Sequence, residues 1–174
     1  MNQLEFVKLV NEEEWEVIND FNERNNFYDF ETCTGLDKVK NKTLYESYKD
    51  GQKHYNLNGT DNKPEFYKTY FIKLNNTLIG YVFVVDKNKD WLWVSMLLID
   101  KDYQNQGYGK KVMTMCECIA RDAGKKTINV DLDISIDAYK KKKNRLFKWY
   151  NSQGYNYLKV EMGQLFLEKK IKYM

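Results

Sequence analysis

Tyr103-Gln104-Asn105-Gln106-Gly107-Tyr108-Gly109-Lys110 stands between an apolar, strand-like run, Trp91 to Ile99, and an amphipathic, helix-like run, Lys111 to Ala123. A strand that ends in a Gly-containing turn and feeds a helix presents bare backbone N–H groups, and the helix dipole adds partial positive charge at the same place. That arrangement suits an anion such as a phosphate, and the glycine spacing narrows the kind. A dinucleotide fingerprint requires a third Gly three residues after the second, so that helix and strand pack closely. Val112 occupies that place. A Walker loop requires a Gly separated by four residues from the Gly-Lys pair, and Ser or Thr after it. Gln104 and Lys111 stand there. What remains is Gln-x-x-Gly-x-Gly after a strand and before a helix, a pattern that a ligand-free Gly-rich turn also satisfies.

The flanking sequence carries more. The approach, Leu97-Leu98-Ile99-Asp100-Lys101-Asp102-Tyr103-Gln104, is an apolar strand end, a short turn and an aromatic. Further on, Leu146-Phe147-Lys148-Trp149-Tyr150-Asn151-Ser152-Gln153-Gly154-Tyr155 is an apolar helix carrying Tyr, then Gly and an aromatic. Together these resemble the GNAT superfamily of N-acetyltransferases. Its acetyl-coenzyme A pyrophosphate loop reads Arg/Gln-x-x-Gly-x-Gly/Ala, and its second signature has the spacing Tyr-x-x-x-Gly-aromatic, matched at Tyr150, Gly154 and Tyr155. The family often has Pro where this chain has Lys101, and commonly Asn where this chain has Lys143, with Asn144 one place late. The resemblance covers most of the second half closely and the whole chain in order of elements.

Composition is consistent with that resemblance without pointing to it. The chain has 174 residues, enough for one domain with a real core. It lacks an apolar run long enough to span a membrane, and its N-terminus lacks the basic-then-apolar pattern of a secretory signal. Three cysteines, Cys33, Cys116 and Cys118, do not suggest a disulfide framework. Cys116 and Cys118 lie two apart on a helical pattern and so do not share a face. A reducing cytoplasm is the simplest home. One His, His54, and three scattered Cys argue against a zinc site. A net charge of +3 is mild and argues against a nucleic-acid binder, which usually demands a strongly basic domain.

Periodicity supplies the elements. Leu4 to Val10 reads as a first strand, and Asn11 as a cap for a helix whose apolar face, Trp15, Ile18, Asn19 and Phe21-Asn22, is uneven. Leu36 to Tyr48 reads as a second helix, and Gly51 to Lys63 as a loop. Phe66 to Leu74 and Leu78 to Val85 read as a hairpin across Asn75-Asn76, with Asp86 to Asp90 turning into Trp91 to Ile99. Val112, Met115, Cys116, Ile119 and Ala120 form a helical stripe that Gly124 ends. Thr127 to Ile134 is a strand, Tyr139 to Ser152 a helix, and Tyr155 to Met162 with Leu165 to Ile171 a closing hairpin across Gly163. This predicts an α/β (α+β) fold in the order β-α-α-β-β-β-α-β-α-β-β. The resemblance implies the same order in a single GNAT-like domain over residues 1–174, with a mixed, largely antiparallel sheet of about seven strands and four flanking helices.

The activity that the resemblance implies is transfer of an acetyl group from acetyl-CoA, as cosubstrate and with no metal, to a primary amine by direct attack on the thioester. Gln104, Asn105, Gln106, Gly107, Tyr108, Gly109 and Lys110 would hold the pyrophosphate, with Gly107 and Gly109 leaving room for the phosphates. Leu97, Leu98 and Ile99 would pair with the pantetheine arm and donate an N–H toward the thioester oxygen. Tyr150 would protonate the departing thiolate, unless it is a core tyrosine satisfied elsewhere. Many family members carry a basic Glu on the strand before the loop, near Ser95 of this chain, and Ser is a poor base. Asp131 and Asp133 are the next candidates. On the strand Thr127 to Ser135, Ile128, Val130, Leu132 and Ile134 share one face, and Thr127, Asn129, Asp131, Asp133 and Ser135 the other. A strand covered on both faces is apolar on both. An acidic stripe therefore either lines a cleft or faces solvent and nearby lysines. Lys140 to Lys143 reads as a solvated helix start. The implied acceptor is a small molecule or peptide amine, with no nucleic-acid or membrane partner, and the chain is expected as a monomer or homodimer. The alternative reading is a non-catalytic module of the same fold that only binds acetyl-CoA.

Overall fold

Ile79 to Val85 is buried without a break, which marks a strand covered on both faces. It belongs to β3 (Thr77–Val85), third in a seven-stranded sheet. The structure is a computed structural model that describes residues 3–8, 17–18, 20–21, 24–25, 67–86, 88–133, 145–161 and 163–173, with only the backbone of Tyr67 and Asp133. The strands are β1 (Leu4–Lys8), β2 (Tyr67–Leu74), β3, β4 (Trp91–Ile99), β5 (Thr127–Asp133), β6 (Asn156–Glu161) and β7 (Gln164–Lys170). The sheet order is β1-β2-β3-β4-β5-β7-β6. It is mixed: β4 and β5 run parallel, whereas β1–β2, β5–β7 and β6–β7 are antiparallel.

Three helical segments are described. Residues 17, 18, 20, 21 and 24 are helical, α1 runs over Tyr108–Asp122, and α2 covers residues 145–151. A 3-10 turn, Lys101–Tyr103, precedes α1. Where the expected strand ends fall on described residues they agree to within one residue, and β4 matches at both ends; the expected ends at Val10, Phe66, Ile134 and Met162 lie outside the described residues. The expected helix Leu36 to Tyr48, the loop Gly51 to Lys63, Cys33, His54 and Lys140 to Lys143 lie outside the described residues. One expected boundary is corrected. The helix after the loop begins at Tyr108 and not at Lys111, so Gly109 and Lys110 belong to its first turn. Tyr108 is buried, which anchors that turn.

The chain divides into two units, Met1–Phe83 with Met96–Tyr108, and Val84–Ser95 with Gly109–Met174. In the first, Ile18, Phe21, Phe71, Tyr81, Phe83 and Met96 form a buried cluster against which Val7, Leu78 and Leu98 pack. Gly80 is needed there, because a Cβ at that position would lie 2.3 Å from the carbonyl oxygen of Leu98. In the second, Ile128, Val130 and Leu132 of β5 are buried, while Thr127, Asn129 and Asp131 on the opposite face are half-buried, the alternation expected from the sequence. Val112, Met113, Cys116 and Ala120 are the buried stripe of α1. Met113 joins it, and Met115 and Ile119 are only half-buried. Cys116 is buried and Cys118 exposed, on different faces.

Both described helices of the second unit end in the same way. Lys125 donates its N–H to the Ala120 carbonyl (2.9 Å) and Gly124 to that of Arg121 (2.9 Å), with Gly124 at φ +70°. Tyr155 donates to Tyr150 (3.2 Å) and Gly154 to Asn151 (2.9 Å), with Gly154 at φ +89°. These are Schellman closures, in which a left-handed glycine lets the chain cap its own last carbonyls. In the second, the ring of Tyr155 packs edge-on against that of Tyr150, 5.5 Å between centroids. The Tyr-x-x-x-Gly-aromatic spacing is thus the spacing of a helix stop.

Candidate active site

The end of β4 is fixed by its bond to β3. Asp100 donates its N–H to the Ile79 carbonyl (2.8 Å). Backbone polar groups alternate sides along a strand. The N–H and C=O groups of Leu97 and Ile99 therefore point away from β3, and those of Leu98 point toward it. This parity divides the expected trio: Leu97 and Ile99 turn their backbone groups to the side away from β3, and Leu98 turns its own toward β3. The carbonyl of Ile99 is already engaged by the side-chain amide of Gln104 (2.8 Å).

Gln104 is consequently a strut within the loop. Gln106 acts likewise, donating from Nε2 to the Asp102 carbonyl (2.9 Å). Asp100, a residue that the sequence reading passed over, organises the turn that precedes them. Its side chain is buried, and Oδ1 accepts from the Asp102 N–H (3.0 Å). Oδ2 meets the Arg24 guanidinium at 2.7 Å and the Asn25 amide at 3.5 Å, and Asn25 Oδ1 accepts from the Lys101 N–H (2.8 Å). The turn is therefore tied to the first helical segment before any ligand arrives. The sequence signal was present, an Asp two residues ahead of the N–H it caps.

The chain then takes positive φ at Asn105 (61°) and Gly107 (83°) and enters α1. At Gly107 the requirement is conformational, since a Cβ would meet nothing within 4 Å. At Gly109 it is packing, because a Cβ would lie 3.2 Å from Cζ2 of Trp149. The room at Gly109 is thus taken by an indole from α2, a contact the sequence reading did not foresee. The first turn of α1 contains no acidic residue, and Lys110 and Lys111 there are exposed. Lysines oppose the helix dipole at an N-terminus. The N–H groups of a helix's first turn have no partner within the helix, and with the two lysine charges they favour an anion.

Tyr150, on α2, is buried between the rings of Trp149 (4.7 Å) and Tyr155 (5.5 Å). Burial, then the charge of Asp131, then that of Cys116 push its phenol well above the ordinary tyrosine range. The group is therefore a neutral proton donor at physiological pH. Among the described residues no hydrogen bond holds its hydroxyl. Tyr155 has the structural role: its hydroxyl meets Glu117 of α1 at 3.3 Å, and Lys169 of β7 bridges to both oxygens of that carboxylate at 2.8 Å.

Asp131 is half-buried, and its Oδ1 accepts a 2.6 Å hydrogen bond from the indole Nε1 of Trp93. The parallel β4–β5 pairing runs from Trp91↔Thr127 to Val94↔Val130, so Ser95 and Asp131 are the first residues beyond it. Oδ1 of Asn129, opposite Trp93, is buried without a hydrogen-bond partner among the described residues. The charge of Asp131 is felt at Tyr150, where it adds to burial in raising the phenol. Asp133 pairs through its backbone with Gln164, and its side chain lies outside the described residues. Among the described residues no helix is long and apolar enough to cross a membrane, and no group of three His, Cys, Asp or Glu side chains is placed to hold a metal ion.

The family model described as Acetyltransferase (GNAT) family matches residues 15–143. That span includes the loop and β5 and stops short of Tyr150. No curated protein matches the chain. Among solved structures, an acetyltransferase from Thermus thermophilus superposes with a TM-score of 0.67 at 14% identity over 96% of both chains. The paia N-acetyltransferase of Thermoplasma acidophilum, solved in complex with coenzyme A, superposes with a TM-score of 0.61 at 16% identity, over 97% of this chain and 99% of that one. A third, from Elizabethkingia anophelis with acetyl-CoA bound, gives 0.51 at 17% identity, over 67% of this chain and 89% of that one. At such identities the likeness is one of fold.

Proposed function

Because the chain belongs to the GNAT family of acetyltransferases, we propose that it transfers the acetyl group of acetyl-CoA to a primary amine of a small molecule or peptide. One observation carries the reading: a braced turn delivers the chain into a helix whose first turn bears two lysines and no acid. The N–H groups of that turn, from Tyr108 to Lys111, would receive the pyrophosphate, with Lys110 and Lys111 supplying charge. Asn105 and Gly107 shape the backbone for it, and Gln104 and Gln106 brace it.

Acetyl-CoA supplies an activated acyl carbon. Leu97 and Ile99 carry outward backbone N–H groups suited to the thioester oxygen, and a preorganised backbone donor stabilises the charge that develops there. An ordinary alkyl amine has a pKa of about 10 and arrives mostly protonated. Asp131 attracts that cation and accepts its proton directly or through water. When the tetrahedral intermediate collapses, the carbon–sulfur bond breaks, and Tyr150 donates its proton to the thiolate. The resulting tyrosinate is costly in so buried a place, and the proton that Asp131 took from the amine, passed on through water, restores the phenol and resets both groups. Asp133 stays in the proposal as a second acidic group of β5.

The test is mass analysis of a panel of amines incubated with the pure protein and acetyl-CoA. A product heavier by one acetyl group, formed in proportion to enzyme, is expected. The Lys110→Glu/Lys111→Glu variant is expected to bind acetyl-CoA more weakly by calorimetry. Binding without acetylation of any amine would favour the non-catalytic module.

A further inference from the structure

Trp93 sits on β4 directly opposite Asn129 of β5, and its indole reaches along the strand to the carboxylate two residues further on. At 2.6 Å the bond is short for an N–H donor, as expected where the acceptor is ionised. Indole has one donor and no acceptor. It can hold a carboxylate in place but cannot relay a proton. Both residues are half-buried, so the bond is partly shielded from competing water. A purely apolar filler would satisfy the packing at this position equally well, but only indole among the large aromatics supplies a fixed, non-titrating donor.

We infer that Trp93 is a positioning residue for the acetyl-transfer reaction, holding the Asp131 carboxylate charged and oriented toward the incoming amine. This role rests on the reading of Asp131 as the carboxylate that meets the amine. Among the described residues, the groups around Asp131 include the indole of Trp93 on β4, Phe166 opposite it on β7, and Tyr150 of α2, which feels its charge. The indole is the member of that set that fixes the rotamer of the carboxylate without being able to exchange a proton with it.

The experiment is a double-mutant cycle on the full chain with Trp93→Phe, Asp131→Asn and both together. Turnover, KM for the amine and acetyl-CoA affinity are measured for each. Trp93→Phe is expected to lower kcat/KM for the amine about tenfold, the scale of a hydrogen bond to a charged group. Asp131→Asn is expected to lower it further, and the double variant to match Asp131→Asn alone, because nothing is left to position. Acetyl-CoA affinity stays unchanged throughout. A merely structural tryptophan would give losses that multiply in the double variant, and that result overturns the role. So does wild-type turnover in Trp93→Phe, or in Asp131→Asn. If the wild type binds acetyl-CoA but acetylates no amine, the transferase reading itself fails, and this role falls with it.

Discussion

Tyr150 carries the sharpest prediction at the scale of one residue. Its ring is held by Trp149 and Tyr155, whereas no described residue holds its hydroxyl. Tyr150→Phe keeps the ring contacts, so stability should change by no more than about 1 kcal/mol, the worth of one hydrogen bond, as read from urea unfolding. Turnover should fall by roughly 10²-fold, the scale of a lost general acid, with acetyl-CoA affinity unchanged. Residual activity is expected, since a coenzyme thiol near a pKa of about 8.5 leaves slowly unaided. It should rise with acyl donors whose thiols are more acidic. Wild-type turnover in a variant whose chemistry is rate-limiting would reduce Tyr150 to a core residue. The sequence singles out Tyr150 as a candidate through the family's spacing to Gly154, and Asp131 through an acidic face on a strand otherwise apolar. It does not single out Trp93, Asp100 or Trp149. Their roles depend on residues 38, 75 or more, and 40 positions away, as Trp93 to Asp131, Asp100 to Arg24 and Asn25, and Trp149 to Gly109. Local periodicity carries no trace of such partners.

At the scale of the element, two glycines that look alike in the sequence do different work. Gly154 stands at φ +89° with only an ordinary contact to Lys169, 3.6 Å from a built Cβ. Gly154→Ala should therefore cost about 1–2 kcal/mol from backbone conformation alone, measurable as a lowered Tm. Gly109 has no such φ but faces Trp149 at 3.2 Å. Gly109→Val should force the indole aside, destabilise the protein by about 1–3 kcal/mol by overpacking, and weaken acetyl-CoA binding by disturbing the first turn of α1. Unchanged unfolding of Gly109→Val would show that α2 yields freely there. The strands were legible because alternation and unbroken apolar runs report burial directly. The start of α1 was misplaced by three residues because a Gly in a first turn reads as loop. In the fold it is helical, with an aromatic ring filling the space a side chain would take.

At the scale of the whole molecule, the order of strands and the helix between β4 and β5 followed from periodicity, while the parity of the β4 backbone required the bond from Asp100 to Ile79. Buried ionisable groups give the molecule an alkaline weakness. Burial first, then the charge of Glu117, pushes the Cys116 thiol from 9.0 up to about 12, and burial raises the phenols of Tyr150 and Tyr155 above their ordinary range. Each group holds its proton more tightly folded than unfolded, so above the unfolded pKa the unfolded state binds fewer protons and stability falls as pH rises. The loss should begin near pH 9 with Cys116 and steepen above about pH 10 as the tyrosines join, each group adding up to about 1.4 kcal/mol per pH unit. Urea unfolding between pH 8 and 11 checks this, and Cys116→Ala should flatten the first part of the fall. A flat profile in the wild type would mean that these groups are hydrated in the folded protein. The central claim is acetyl transfer to an amine, and its most direct measurement is the rate at which pure protein releases the coenzyme thiol from acetyl-CoA as an amine is added. Release that saturates with the amine, with one acetylated amine formed per thiol, is the predicted result. Release at the same low rate with and without every amine, despite binding of acetyl-CoA, would contradict it.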